Sequence, residues 1–339
     1  MRVVVIGATG HIGTYLVPRL VQEGHDVVAL SRGERAPYLS SPAWDQVERV
    51  SSDRAAEDAA GTFGPRVAAL RPDAVVDLMC FSPGSAAHLV QALAPIGAYL
   101  LHCGTIWVHG SACEVPVRED APRHPFGDYG VQKAATEEML LAAAHRGDLR
   151  CTVLHPGHIV GPGWRPLNPA GNFNPEVFSR LAQGRELTLP NFGLETVHHV
   201  HADDVAQAFV LALAKPEVAS GQAYHVVSER AVTLRGYAER VAAWFGLAAD
   251  LRFEPFASWA GRWSTEDARA TWEHIAHSPS MSISKAVHEL GYRPRASSLE
   301  AVFEALSWLV QQGEVSTGGR APAWDAPAQA PGAPAGAQA

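Results

Sequence analysis

Two residues at helical spacing carry the sharpest chemical signal in this chain, Tyr129 and Lys133, in the run Tyr129-Gly130-Val131-Gln132-Lys133. On a helix, positions i and i+4 share a face, so the phenol and the ammonium project together. An ordinary tyrosine titrates near pH ~10 and is a poor proton carrier at neutrality. A neighbouring ammonium favours the phenolate and lowers that value, which makes the pair a proton donor and acceptor. Spacing alone does not decide the matter, because such pairs are common on helix surfaces. A third residue strengthens it. Thr105 stands 24 residues upstream of Tyr129, after the apolar run 98–103. At the carboxyl end of a strand its hydroxyl would polarise a substrate oxygen together with Tyr129.

A second constellation opens the chain: Gly7-Ala8-Thr9-Gly10-His11-Ile12-Gly13, directly after the β-branched run 2–6. Glycines at this spacing allow a tight turn, close backbone approach to a pyrophosphate and close helix–strand packing. A helix starting there presents unpaired N–H groups to phosphates. A dinucleotide is the expected ligand of Gly7, Thr9, Gly10, His11, Ile12 and Gly13. An NAD site usually has Asp or Glu about 20 residues further on, for the ribose 2′-hydroxyl. Here the stretch reads Ala29-Leu30-Ser31-Arg32-Gly33. A guanidinium suits a 2′-phosphate, so Arg32 points to NADP, with NAD as the other option. Asp53, after the third strand, suits adenine contact or a turn equally well.

These residues need a scaffold. Strands at 2–6, 26–30, 46–50, 74–78, 98–102 and 150–154 alternate with helical patterns such as 12–22, 85–93 and 128–145. That alternation predicts an α/β fold, a doubly wound parallel sheet of Rossmann type with a smaller, mostly helical C-terminal substrate domain. We assign residues 1–160 and 198–230 to the dinucleotide domain and 161–197 with 231–316 to the substrate domain. Residues 317–339, rich in Ala, Pro and Gly, are expected to be a disordered tail. Asp203 and Asp204 suit the start of a helix over 203–214.

Bulk properties exclude some partners. The net charge is −8, with no run of Lys or Arg, which argues against nucleic acid and anionic membrane. No apolar stretch approaches the ~18 residues of a membrane span. The run 3–6 is too short for a signal-peptide core, so a cytoplasmic location is expected. The four cysteines, at 80, 103, 113 and 151, lack metal or redox spacing and read as reduced thiols. His198, His199 and His201 precede Asp203, but only His199 and His201 share a strand face, so no metal is expected. Asn168, Asn172 and Asn174 fit either a hydroxyl-rich ligand or simple turn chemistry.

Together the glycine loop, Thr105 and the Tyr129–Lys133 pair resemble extended short-chain dehydrogenase/reductases, the NAD-dependent epimerase/dehydratase group. Three further stretches fit: His155-Pro156-Gly157-His158-Ile159-Val160-Gly161-Pro162, Val200-His201-Ala202-Asp203-Asp204-Val205-Ala206, and residues 283–294 ending Leu290-Gly291-Tyr292-Arg293-Pro294. The similarity spans residues 2–312. It implies a catalytic triad of Thr105, Tyr129 and Lys133. It places the cofactor against the glycine loop, Arg32, Asp53, Lys133 and His155. It also implies a small-molecule substrate and a homodimer.

The departures carry information too. His155 and His158 stand where nucleotide-sugar enzymes of this group have Arg and Asn, Val197 replaces a diphosphate-binding Arg, and His109 replaces a Tyr. These changes favour hydride transfer to or from a hydroxyl or carbonyl carbon of a polyol-like molecule. The alternatives are a sugar-nucleotide epimerase holding NAD tightly, and a non-catalytic or RNA-binding protein on the same fold.

Overall fold

The computed structural model describes residues 1–325. Strands β1 (Arg2–Ile6), β2 (Asp26–Ser31), β3 (Glu48–Ser51), β4 (Ala74–Asp77), β5 (Tyr99–Cys103) and β6 (Cys151–Pro156) join a seventh strand, Gln222–Val226, in one sheet. Its order is Gln222–Val226, β6, β5, β4, β1, β2, β3, and every pairing is parallel. The parallel doubly wound sheet expected from the sequence is therefore present. Both faces are covered, so the strands read as nearly unbroken Val, Ile and Leu rather than alternating. On one face Leu16, Val17 and Leu20 of α1 (His11–Gln22) pack with Val205 and Phe209 of helix Ala202–Ala214. After α2 (Arg54–Ala59), the other face is covered by α3 (Phe63–Ala69), α4 (Pro83–Leu93) and α5 (Gly127–His145), through Phe63, Val67, Leu89, Leu93 and Leu140. The order reverses beside β1, where β4 lies on one side and β2 on the other. Ligands of such sheets bind at the carboxyl ends of the strands near that reversal.

Two compact units emerge. The first contains Met1–Ile159, His198–Arg230 and Pro279–Ser298. The second contains Val160–Val197, Ala231–Ser278 and the chain from Leu299. The stretch 279–298 was placed in the substrate domain from sequence, but it belongs to the first unit. Tyr292 is fully buried and donates to the Val227 carbonyl at 3.1 Å, and Met281 N–H donates to His198 Nδ1 at 3.1 Å. In the second unit, Leu187–Pro190 pairs in parallel with Leu251–Glu254, and Thr196–Val197 pairs antiparallel with Val232–Thr233. Helices Glu176–Gln183, Leu234–Trp244 and Thr265–His277 accompany them.

The tail expectation needs correction up to residue 325. Trp324 packs on Trp244 and Phe303, with ring centroids 5.8 and 5.5 Å away, and Ala323 N–H donates to the Trp244 carbonyl. One large aromatic is enough to anchor a segment whose average composition reads as solvated. The rest of the expected tail, 326–339, lies outside the described residues. Among the described residues no helix is long and apolar enough to cross a membrane. All four cysteines are free thiols.

Candidate active site

The glycine loop is shaped by backbone contacts. Gly7 adopts φ +84°, and its N–H and that of Ala8 both donate to the Leu30 carbonyl, at 2.9 and 3.2 Å. A Cβ on Gly13 would stand 2.1 Å from the Ala8 carbonyl oxygen, so only hydrogen fits there. Gly10 caps α1 without a side-chain hydrogen bond, and the first turn carries no acidic residue. The helix N-terminus is therefore left with donors and partial positive charge for an anion. This cradle fits a dinucleotide pyrophosphate. His11 and Ile12 can offer it backbone N–H groups only, because both side chains are buried. Burial, reinforced by His201, holds the His11 imidazole down at about 3, so it is neutral at pH 7.

Arg32 follows β2 and is exposed, with Nη2 3.1 Å from Glu34 Oε2. The sequence reading noted the guanidinium but missed this carboxylate beside it. Asp53 caps α2 by accepting from Ala56 N–H at 3.2 Å, which is the turn role. His155 is corrected more sharply. It is fully buried, and its Nε2 lies 2.8 Å from Glu137 Oε2. That pairing commits its Nε2 to Glu137 rather than to a cofactor.

Helix α5 places Tyr129, Lys133 and Glu137 at i, i+4 and i+8 on one face. Thr105 caps the short 3-10 turn Ile106–His109 by accepting from Trp107 N–H at 3.3 Å, directly after β5. It also lies close enough to Tyr129 to draw the phenol value down. The structure thus brings Thr105 and Tyr129 together. Tyr129 is 41% exposed as a whole residue, and its phenol is nonetheless shifted by burial. Burial, with a smaller push from Cys103, raises the phenol to about 12, and the Thr105 hydrogen bond opposes this.

Lys133 is held by main-chain oxygens. Its Nζ donates to the Cys80 and Cys103 carbonyls at 2.9 and 2.5 Å, with His102 Nε2 3.4 Å away. The ammonium is 3% exposed and is lowered from its ordinary value by burial. It is not among the groups that set the Tyr129 value. Backbone carbonyls in the loop after β4 and at the end of β5, invisible to a spacing rule, compete for it. Sequence reading also missed two neighbours of Tyr129. Trp107 meets its ring edge-on at 5.5 Å, and Phe81 lies 6.5 Å away beneath Lys133 Nζ.

The three loop amides are committed elsewhere. Asn168 donates to Asn172 Oδ1 at 2.7 Å, Asn172 to Thr271 at 3.1 Å, and Asn174 to Asp267 at 3.0 Å. His198 donates to the Ser228 carbonyl at 2.9 Å, and His201 Nδ1 accepts from Asp203 N–H at 3.0 Å. Both are buried core residues.

The profile of the NAD dependent epimerase/dehydratase family matches residues 3–226. The chain belongs to that family. Within it, the chain is 28% identical to 2'-dehydrokanamycin reductase of Streptomyces kanamyceticus, over 93% of this chain and 86% of the relative. It is 32% identical to UDP-glucose 4-epimerase of Mycolicibacterium smegmatis, over 62% of this chain and 73% of the relative. A solved dTDP-glucose 4,6-dehydratase from Streptomyces venezuelae, with NAD and TYD bound, superposes with TM-score 0.69 at 20% identity, covering 93% and 99% of the two chains. Relatives within this epimerase/dehydratase family are reductases and epimerases, and this chain is an NAD(P)-dependent oxidoreductase or epimerase.

Proposed function

We propose that this enzyme is an NADP(H)-dependent reductase or dehydrogenase acting on a hydroxyl or carbonyl carbon of a small, polyol-like molecule. The observation that carries the reading is the Thr105–Tyr129 pair, a phenol raised by burial beside a hydroxyl just past the carboxyl end of β5. Bound nicotinamide supplies or accepts the hydride. The chain's own residues supply the rest. Tyr129, held protonated by burial, donates its proton to the oxygen that develops charge during reduction. Thr105 holds that oxygen and the phenol in register. Phe81 and Trp107 offer apolar surfaces to the C–H faces of a ring and exclude water from the phenol. Lys133, tied to two carbonyls, fixes the strand ends against α5 and is the candidate to meet the cofactor ribose. Arg32 supports the 2′-phosphate reading.

The 28% identity to a named reductase across nearly the whole chain supports net redox chemistry. The 32% identity to an epimerase keeps the second reading open, in which one carbon is oxidised and re-reduced on a retained NAD. Purified protein, mixed with NADPH and a panel of cyclic keto-polyols, tests the choice through loss of the reduced-nicotinamide absorbance. Stoichiometric oxidation supports net reduction. Co-purified NAD(H) that never exchanges, with no NADPH turnover, would overturn it.

A further inference from the structure

Three histidines far apart in the sequence converge near the carboxyl ends of the last three strands. His109 follows β5, His155 lies in β6, and His225 lies in Gln222–Val226. All three are buried. One ring nitrogen from each falls within 4.8 Å of the other two, and Nε2 of His109 is 2.7 Å from Nε2 of His225.

The partners of these rings decide where the lone pairs point. His225 Nδ1 lies 3.1 Å from the Ser282 carbonyl oxygen, which can only accept. That nitrogen therefore carries the proton, and Nε2 carries the lone pair, which accepts from His109 Nε2–H at 2.7 Å, a proton that a metal would displace. His155 Nε2 faces the Glu137 carboxylate at 2.8 Å, so its proton sits there and Nδ1 is the acceptor. That Nδ1 is buried and has no hydrogen-bond partner. A buried acceptor without a donor is unfavourable, and metal ligation is one way to satisfy it. The carboxylate and the carbonyl behind the two rings are the second layer that metal-binding histidines usually have.

Charge points the same way. Glu137 and Glu119 bring two carboxylates to the cluster; Glu119 accepts the His225 backbone N–H at 2.9 Å. Arg123 opposes them, with Nη2 2.7 Å from Glu137 Oε1, and Arg118 and Lys285 line the neighbouring cavity. Arg123 is the cluster's resident cation, since Nη1 lies 2.9 Å from both ring nitrogens of His109. Its side chain is 28% exposed and lines a cavity of about 550 Å³ together with Glu119, Ser282 and Lys285. The cavity gives the guanidinium room to move away from His109.

We propose that His109, His155 and His225 form a site for one divalent transition metal of the imidazole-preferring kind, such as zinc or cobalt, with water completing the coordination. The metal would replace the Arg123 guanidinium and tie β5, β6 and the last strand together.

The full chain, stripped with chelator, is titrated with Co(II) and followed by visible ligand-field absorption, and separately with Zn(II) by calorimetry. One ion per chain is expected. Glu137→Gln is expected to weaken binding about 10–100-fold, the usual effect of losing a carboxylate behind a ligand. His155→Ala should weaken it at least as much. Arg123→Met is expected to tighten binding, because a competing cation is gone. His288→Ala, exposed on the cavity wall, should leave it unchanged. X-ray absorption on the Co(II)-loaded parent should report three imidazoles, and this does not depend on any variant folding. Absence of stoichiometric binding in both the parent and Arg123→Met, or an oxygen-only shell, would overturn the site.

Discussion

Trp107 and Tyr129 meet edge to face, with ring centroids 5.5 Å apart and planes inclined at 81°. The contact joins the turn after β5 to the first turn of α5. It fixes the phenol sideways, while burial and the nearby Thr105 hydroxyl act on its proton. Position and protonation of Tyr129 are thus set by different neighbours, so substitutions can separate them.

Tyr129→Phe keeps the Trp107 contact and removes the proton. Turnover is expected to fall by at least the ~10²–10⁴-fold that acid–base groups typically contribute, with cofactor affinity within a few-fold of the parent. Steady-state assays paired with a cofactor titration measure both quantities. More than about a tenth of parental turnover would move the proton donor elsewhere.

The pH dependence follows from the phenol being pushed up to about 12 by burial. Reduction uses the protonated form, which predominates below that value. The reductive kcat/KM should therefore stay level from about pH 7 to 10, whereas an unshifted phenol would be half ionised near ~10. The oxidative direction, which uses the phenolate, should rise about tenfold per pH unit across the same range. A reductive profile already falling by pH 8 would contradict this assignment.

Cofactor choice should turn on the Arg32–Glu34 pair. NADPH is expected to bind about 10–100-fold tighter than NADH, as charge-assisted bonds to a phosphate allow. Arg32→Ala should abolish that difference. Glu34→Gln should increase it, because Glu34 holds the guanidinium at 3.1 Å and repels a phosphate. Equal dissociation constants for the two cofactors in the parent would end the NADP reading.

UDP-, GDP- and dTDP-sugars are expected to be poor ligands. A buried diphosphate needs paired cations. Val197 stands at the usual arginine position, and His155 is taken by Glu137. Arg165 is engaged by Glu314, and Arg180 and Arg185 by Glu176. Calorimetry on cofactor-loaded protein is the check, and micromolar binding of any nucleotide sugar would promote the epimerase reading.

Much of the scaffold was readable along the chain, because local rules governed it. Strand β1 runs from Arg2 to Ile6 as its β-branched run suggests, and α5 begins one residue before the expected 128. The steric need for Gly13 follows from its place in the loop. What was hidden depends on partners distant in sequence. His155 finds Glu137 across 18 residues and lies beside His225, 70 residues on, and no local pattern announces either. Lys133 answers to main-chain carbonyls of Cys80 and Cys103, which have no sequence signature at all. Trp324 escaped notice because composition averages conceal a single anchor.

The return of residues 279–298 to the first unit makes that unit's hydrophobic interior a product of three separate passes of the chain. Ala286, Leu290 and Tyr292 are fully buried beside Leu16 and Phe209. Ribosomal synthesis delivers those three residues last, so the nucleotide-binding half cannot finish its interior until nearly the whole polypeptide has emerged. A chain truncated after residue 230 would expose the cavity they fill. Exchanging the second unit for that of a relative therefore means splicing at several internal points rather than at one.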